Sequence, residues 1–514
     1  MKPILWLSTF AIVFAAPGAA QPQIAASGVL NAASNSPVGW PNSSIAQGSI
    51  FTIYGSNLGP SSSPALAYPL QPRLGGVSVR VTSGSTSLSA IPIFVGTQQI
   101  NAILPASTPV ASAALTVTSN GQTSNAVSFQ VIANSFGIFT VNSVSTGGGI
   151  ITGASHQLYS VNSPANPGDV ATLWGTGIGP SPGDDGSAPP QQIDMPNLPL
   201  SVYVGSQAAT VTYRGRGPFT GEDQINFVVP AGTTGCFVPV AVEIGNIVSN
   251  FATMPIAPAG QLCPDPLIPG FGFYPPPPIG TITLTRSTLI GATTSTTDSG
   301  QAYFGTPLFP FVSGTPLPFP LGTCIGGLII QVRPEVPFSP LDAGPTITIN
   351  GPDGSGQLAR PNYSAQLGGG SGTNAQPLFL NAGGYTVSGP GGADVGPFSQ
   401  NFTILQPLTR TNPSNSSTVE RSAGLDVTWT GGDPNGTVQI TAVAGYAAAF
   451  CNAKISEQQF TIPAFVLLSL PPSTSTSTGS LTLRATSTTA FTASGISSGT
   501  INSVVAIIKD VAYQ

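Results

Sequence analysis

The chain has 514 residues, of which only 6% are charged and 40% hydrophobic, with 62 glycines, 52 prolines and a formal net charge of −5. An ordinary globular protein carries about 25% charged residues, so the polar surface here must come from Ser, Thr, Asn and Gln. With few lysines and no basic cluster, nucleic acid and anionic membrane surfaces are poor partners. Regularly interleaved apolar runs supply surface to bury, which argues against disorder. Few carboxylates also means few groups whose protonation could unfold the chain, so stability is expected to change little between neutral and mildly acidic pH.

Residues 1–20 read as a signal peptide. Lys2 supplies the positive end, residues 4–16 the apolar stretch, and Gly18-Ala19-Ala20 the small residues before a cleavage ahead of Gln21. That stretch falls short of the ~20 apolar residues that span a bilayer. No later segment reaches that length, so the expectation is an exported protein, secreted or at the cell surface, with no transmembrane segment after cleavage.

A polar lead-in to residue 44 is followed by strand candidates at 49–54, 76–82, 91–95, 98–103, 114–119 and 126–132. Val77-Ser78-Val79-Arg80-Val81 alternates with period two, as a half-buried strand does. Asn120-Gly121 between two such runs marks a hairpin turn. The block then recurs. Gly48-Ser49-Ile50-Phe51-Thr52-Ile53-Tyr54-Gly55 lines up with Gly168-Asp169-Val170-Ala171-Thr172-Leu173-Trp174-Gly175, Gln99-Ile100-Asn101 with Gln224-Ile225-Asn226, and Ser124-Asn125 with Ser249-Asn250. The offset, from Gly48 to Gly168, is far longer than the ~20–50 residues of a solenoid unit and marks a duplicated domain. The second copy has strand candidates at 169–174, 200–204, 208–213, 223–228, 237–244 and 251–256.

Gly48 to Gly59 and Gly168 to Gly179 resemble the opening of an IPT/TIG immunoglobulin-like domain. With Leu74-Gly75-Gly76-Val77, the Gln-Ile-Asn and Ser-Asn motifs and Phe136-Gly137-Ile138-Phe139-Thr140, residues 27–258 are similar to a tandem β-domain of exported Solibacter-type acidobacterial proteins. The resemblance implies an immunoglobulin-like sandwich and an exported location, and no catalytic residues. Here the module is N-terminal, whereas in that family it is C-terminal. The motif residues themselves look structural: Gly55 and Gly175 are expected at a positive φ or a tight bend where a strand ends. Tyr54 and Trp174 occupy equivalent places. They are read as core packing, as a platform for a sugar ring, or as a domain contact.

Past the repeats, residues 259–280 form a Pro-rich linker with four consecutive prolines, Pro275 to Pro278, expected as stiff polyproline II. Phe271, Phe273 and Tyr274 before them are candidate binding aromatics or packing residues. Further strand candidates lie at 281–286, 326–333, 345–349, 376–380, 384–387 and 400–405, then at 424–429, 437–443, 458–461, 466–469, 480–486 and 501–513. A polar stretch places a boundary near 407. The expected organisation is therefore a signal peptide (1–20), two immunoglobulin-like repeats (27–135 and 136–258), the linker (259–280) and two β-sandwich domains (281–406 and 407–514), with almost no helix.

Four cysteines in an exported chain suggest two disulfides, and four allow three pairings. Cys236–Cys263 and Cys324–Cys451 are favoured; on the chain-entropy model their loops contribute about 3.5 and about 5 kcal/mol at most. No C-x-x-C is present and the single histidine, His156, is remote, so no metal site is expected. Nothing resembles G-x-S-x-G, and His156 reads as a loop residue. Asp184, Asp185, Asp353 and Asp433 sit beside Gly or Pro, which is turn chemistry. Asp194, Glu243, Asp342, Asp394 and Asp426 complete the acid candidates, and no D-x-D-x-D-G calcium loop occurs. Glu222-Asp223 is the least turn-like acidic pair and is read as lying on the surface.

The chain is thus read as all-β, tandem immunoglobulin-like sandwiches joined by Pro/Gly-rich linkers, without catalysis and without a cofactor. Its expected role is adhesion, surface interaction or extracellular scaffolding, with an extracellular protein or polysaccharide as partner. The alternative is a carbohydrate-binding protein or an accessory module of a polysaccharide-degrading system.

Overall fold

Alternating burial builds the layers. Val77–Ser83 buries Val77, Val79 and Val81 while Arg80 faces solvent, and Ser112–Ser119 repeats the pattern beside it. The computed structural model describes residues 20–514 except 62, 65–66, 144, 182–184, 190–191, 264–276, 292, 308–318, 330–337, 371–374, 414–416 and 475–477. The proposed signal peptide (residue 20 aside) and most of the Pro-rich linker lie outside those residues.

In the first repeat the hydrogen-bonded order is Gln23–Asn31, Ile50–Ser56, Gln99–Ile103, Thr86–Val95, Val77–Ser83, Ser112–Ser119, Val127–Ile132. Thr86–Val95 pairs on both sides and carries a bulge between Pro92 and Phe94, so it passes from one layer of the sandwich to the other. The second repeat copies this order, with Gln207–Arg216 as the shared strand and a matching bulge between Val211 and Tyr213. Each repeat closes its own core, one around Phe51, Ile53 and Leu115 and the other around Leu173, Ile225 and Phe227.

The shared motifs explain how each copy closes. Ser124 Oγ accepts the Val117 N–H, and the Asn125 amide both accepts from Ile24 N (2.8 Å) and donates to Ile24 O (3.0 Å). Ser249 and Asn250 grip Ile138 with the same bonds at 2.8 and 3.0 Å. The first strand of each repeat is thereby fastened by a side-chain amide that imitates a neighbouring strand. Gly55 and Gly175 serve the same closure. Contrary to expectation, neither has a positive φ; both lie in extended strands, where a Cβ would collide with the carbonyl oxygen of Gln23 or Gly137 on the strand alongside.

The repeats are docked. Ile50, Leu70, Ile91 and Ile103 of the first form a buried cluster with Phe139 of the second. Thr176 Oγ1 accepts from Ile50 N at 2.8 Å and donates to Gly221 O at 2.6 Å.

The C-terminal half has a different plan. Its largest sheet runs Thr323–Ile329, Ala447–Lys454, Thr437–Ala444, Gly479–Phe491, Ser498–Tyr513, Ile279–Ile290, Thr294–Pro307. A four-stranded sheet (Thr346–Gly351, Gly354–Ala359, Gly383–Gly389, Phe398–Ile404) and a three-stranded one (Thr409–Arg410, Leu425–Thr430, Gln459–Ile462) complete the layers. Two cores result. Ile282, Leu284, Phe491 and Ile501 belong to one, whereas Leu481, Leu483, Ile507 and Tyr513 belong to the other. The long strands therefore serve both cores, and Ile279–Ile290 pairs in parallel with Ser498–Tyr513 across the expected boundary near 407.

Two expected strands are something else. Of the expected strand 466–469, residues 466–468 fall in the short helix Ala464–Leu468 and Ser469 caps its end; Pro463 precedes the helix, which buries Phe465, Val466, Leu467 and Leu468. Tyr203 of the second repeat stacks on Phe465 at 3.9 Å and 6°, with Phe251 at 6.0 Å, so the second repeat sits directly on the C-terminal half. Residues 376–380 form no strand, because the Phe379 and Leu380 N–H groups are taken by the Asp298 carboxylate. Gln23–Asn31, in what reads as a polar lead-in, and Thr294–Pro307, Gly354–Ala359, Ser364–Gly369 and Ala447–Lys454 are strands that small and polar residues conceal in the sequence. Both favoured disulfides, Cys236–Cys263 and Cys324–Cys451, are formed.

Candidate functional site

The aromatic candidates of the two repeats fall in one register. Tyr54 pairs with Gln99, and Trp174 with Gln224; one row further along, Thr52 pairs with Asn101 and Thr172 with Asn226. Neighbours Ile53, Ile100, Leu173 and Ile225 point into the cores, so these side chains lie on the outer face. Tyr54 and Trp174 are half-buried. The Tyr54 hydroxyl donates to Asn35 Oδ1 (3.2 Å) and the Trp174 indole N–H to Thr152 Oγ1 (3.1 Å). The Gln-Ile-Asn motif builds a ladder beside each ring: Gln99 Nε2 donates to Asn101 Oδ1 at 2.8 Å, and Gln224 Nε2 to Asn226 Oδ1 at 2.9 Å.

Asp223 corrects the surface reading of the acidic pair, because it is fully buried. It takes Arg216 Nη1 at 2.5 Å and the N–H groups of Gly177 and Ile178 at 2.6 and 2.7 Å. Arg216 Nη2 donates in turn to Gly179 O at 2.8 Å. Burial pushes the Asp223 carboxyl up to about 6, while Arg216 and the two N–H donors pull it down, so at neutral pH the cage holds a carboxylate. This Asp fixes the Gly177–Gly179 loop beside the repeat junction, and each of its oxygens is already bonded. Glu222 is half-buried, and burial with the nearby Asp223 charge raises it to about 7.

The C-terminal half repeats the device at a pair that the sequence reading missed. Asp298, also fully buried, takes Arg286 Nε at 2.8 Å and Nη2 at 2.7 Å, and caps Phe379 and Leu380 N–H. The available signal was an Arg and an Asp placed opposite each other in two facing Thr-rich strands. Beside it, Thr297, Ser299, Gln301, Ser364 and Gln366 line a polar groove of about 540 Å³. Tyr446, 79% exposed at a hairpin tip, is a second aromatic the sequence reading passed over; Gly445-Tyr446 between two apolar runs was its signal.

Other acids have local or bridging duties. Asp433 holds its own turn through Asn435 N–H. Asp185 does not: it accepts from Ala106 N of the first repeat at 2.8 Å. Asp342 accepts from Gly344 N, which chiefly lowers its carboxyl, and bridges Arg360 at the surface, which lowers it further. Glu243 accepts from the Tyr203 hydroxyl, which is pushed up to about 12, mainly by burial. His156 is exposed, in a turn at φ 59°. Among the described residues no three His, Cys, Asp or Glu side chains are grouped to hold a metal ion, and no helix is long and apolar enough to cross a membrane. Phe271, Phe273, Tyr274 and Asp184 lie outside the described residues.

No family model and no curated protein matches the chain. Among solved structures, it is similar to SGBP-B from a complex xyloglucan utilization locus in Bacteroides uniformis, at 12% identity over 66% of this chain and 81% of that one, with a TM-score of 0.17. It is also similar to domains 5–6 of the S-layer protein SbsC (11%, 46% and 100%, 0.19) and to Sidekick-1 immunoglobulin domains 1–4 (12%, 90% and 94%, 0.12). At these values the likenesses carry no functional argument.

Proposed function

We propose that the chain is an exported, non-catalytic surface-interaction protein that holds outward faces and loops at fixed positions on a stiff stack of immunoglobulin-like sandwiches. The observation that carries this reading is the continuous docking of the units. Ile50, Leu70, Ile91 and Ile103 seat the first repeat on the second, and Tyr203 and Phe251 seat the second on the helix at Phe465. Relative motion is the default for units joined only by linkers, and apolar interfaces of this kind suppress it. The motif residues that recur in both repeats serve this construction: Ser-Asn grips a strand, and Gly55 and Gly175 admit one. The IPT/TIG-like assignment of the repeats rests on those recurring motifs. Two disulfides support an oxidising, extracytoplasmic setting.

Cell fractionation with surface cross-linking tests the reading. The expected result is a disulfide-bonded protein in the extracellular or envelope fraction, cross-linked to a partner. A cytoplasmic protein with reduced cysteines overturns it. So does turnover of a polysaccharide that one carboxylate substitution abolishes.

A further inference from the structure

We infer that the outer faces of the two repeats, centred on Trp174 with Gln224 and Asn226 and on Tyr54 with Gln99 and Asn101, are binding sites for neutral, hydroxyl-rich polysaccharide chains. The inference deepens the surface-interaction reading and rests on it.

Four observations converge. The first is that each face carries two aromatics flanking an amide pair in the same register: Phe94 lies opposite Asn101 and Tyr213 opposite Asn226, each just past the matching bulge. All four rings are half-buried, so part of each is open to solvent. Closure of the sandwich requires the inward Ile and Leu of these strands, and it does not require outward aromatics and amides at the same places twice.

The second is that the polar groups are preorganised. Trp174 is tied by its indole N–H to Thr152, and each Gln is hydrogen-bonded to its Asn. Gln224 is itself buried, bonded to Asn226 on one side and accepting from Gln192 at 2.8 Å on the other, so it positions Asn226, the half-buried end of the second ladder. Among the described residues no protein acceptor takes Nδ2 of Asn101 or Asn226, so each ladder ends in an amide donor that water satisfies and a hydroxyl can replace.

The third is that Gly217 keeps the space beside Trp174 open. A Cβ there would stand 3.3 Å from both Trp174 Cζ3 and Glu222 Oε2. The missing side chain leaves a notch between a ring edge and a carboxyl.

The last is charge. The Glu222 carboxyl at the notch aside, the two rows of ring, amide and hydroxyl groups carry no formal charge, in a chain only 6% charged. A sugar ring presents C–H groups to an aromatic face and hydroxyls to amides, and needs no counter-ion. A charged polymer would have to shed water here without a compensating charge.

Native affinity electrophoresis of the full mature chain in gels containing glucomannan or dextran, with polygalacturonate as the charged control, tests this. The expected result is retardation by a neutral polysaccharide that persists in high salt. Trp174→Ala should weaken it about tenfold and Tyr54→Ala about threefold, equivalent to about 1.4 and about 0.7 kcal/mol. Trp174→Phe should retain part of the binding and the wild-type melting temperature, which separates lost contact from lost fold. Three results overturn the inference: no retardation by either neutral polymer, retardation by polygalacturonate alone, or retardation unchanged in a folded Trp174→Ala protein. A protein found at the cell surface that shows one of these results loses the polysaccharide sites and keeps the surface-interaction reading. A cytoplasmic, reduced protein loses that reading itself.

Discussion

The two halves of the molecule solve the same problem in opposite ways. In residues 20–258 each repeat closes a core of its own and only then docks, through Ile50, Leu70, Ile91 and Ile103 on one side and Phe139 on the other. In residues 279–514 the strands Gly479–Phe491 and Ser498–Tyr513 run through both cores, so neither core is complete without them. Duplication accounts for the first plan: a copied unit brings its own closure, including the Ser-Asn grip. In the second plan, contacts between the earliest and latest strands hold the half together.

The sharpest way to break this comparison is truncation. A chain ending at residue 406 keeps all of both repeats but removes Phe491 and Ile501 from one core and the long strands from the sheet. The repeats should stay folded, while 279–406 loses protection throughout. Hydrogen exchange read by mass spectrometry checks this. Slow exchange persisting in Thr346–Gly351 and Gly383–Gly389 would show that the first C-terminal core stands alone.

The buried Arg–Asp pairs sharpen the comparison at single residues. Removing one partner of such a pair costs about 3–5 kcal/mol, because the other is left charged and unpaired. Asp298→Ala should therefore lower the melting of the C-terminal half as a unit, since Asp298 also caps the Phe379 and Leu380 N–H groups. Asp223→Ala should cost a similar amount but act on the second repeat, loosening the Gly177–Gly179 loop and leaving the C-terminal transition in place. Calorimetry of the two variants distinguishes them; identical shifts of one shared transition would mean that the halves do not melt separately.

At the seam between the halves, Phe465→Ala removes a ring stacked between Tyr203 and Phe251. The expected cost is about 3 kcal/mol, the low end for a buried Phe, because the site is an interface. Its signature is specific: the transitions of the second repeat and of the C-terminal half should draw further apart than in the parent protein, because neither unit then braces the other. Small-angle scattering of the variant should show a longer maximum dimension, and an unchanged one would place the rigidity elsewhere.

These contrasts also mark what the sequence could reveal. Most strands of the repeats were legible in the sequence, because Val and Ile alternate with polar residues and because each copy corroborates the other; Gln23–Asn31, which reads as a polar lead-in, was the exception. Thr294–Pro307 and Ala447–Lys454 were not, since Ser, Thr, Gly and Ala give no amphipathic signal and their pairing is supplied by distant strands. Residues 466–469 read as a strand because the apolar run of the helix Ala464–Leu468 has no distinguishing period at that length. At the candidate site, the positions of Tyr54 and Trp174 were evident, but the outward ladder of Gln99, Asn101, Gln224 and Asn226 was hidden. A Gln-Ile-Asn tripeptide shows two polar residues around an apolar one. Only the register shows that both amides lie beside the ring.

Titration gives the smallest expected effect, and it revises the pH-insensitivity that the low carboxylate content predicts. Glu222 is held at about 7 and Asp223 at about 6 in the folded chain. Both values lie above those of unfolded carboxylates, near 4. Between these limits the folded state binds protons that the unfolded state has already released. Stability therefore rises as pH falls through about 7 and about 6, and levels off once unfolded carboxylates also protonate. The melting temperature should be a few degrees higher at pH 5 than at pH 8. Since Glu222 is partly open to solvent, its share is less than its full shift would give. Glu222→Gln removes the group that titrates at the higher value, so it should raise the melting temperature at pH 8 and flatten the slope, leaving the smaller step of Asp223. The change should be confined to the repeat transition, because both groups sit in the second repeat. A slope unaltered by Glu222→Gln, or one that falls toward acid, would mean that the notch beside Trp174 is wetter than its geometry indicates and that Glu222 is ionised there at neutral pH.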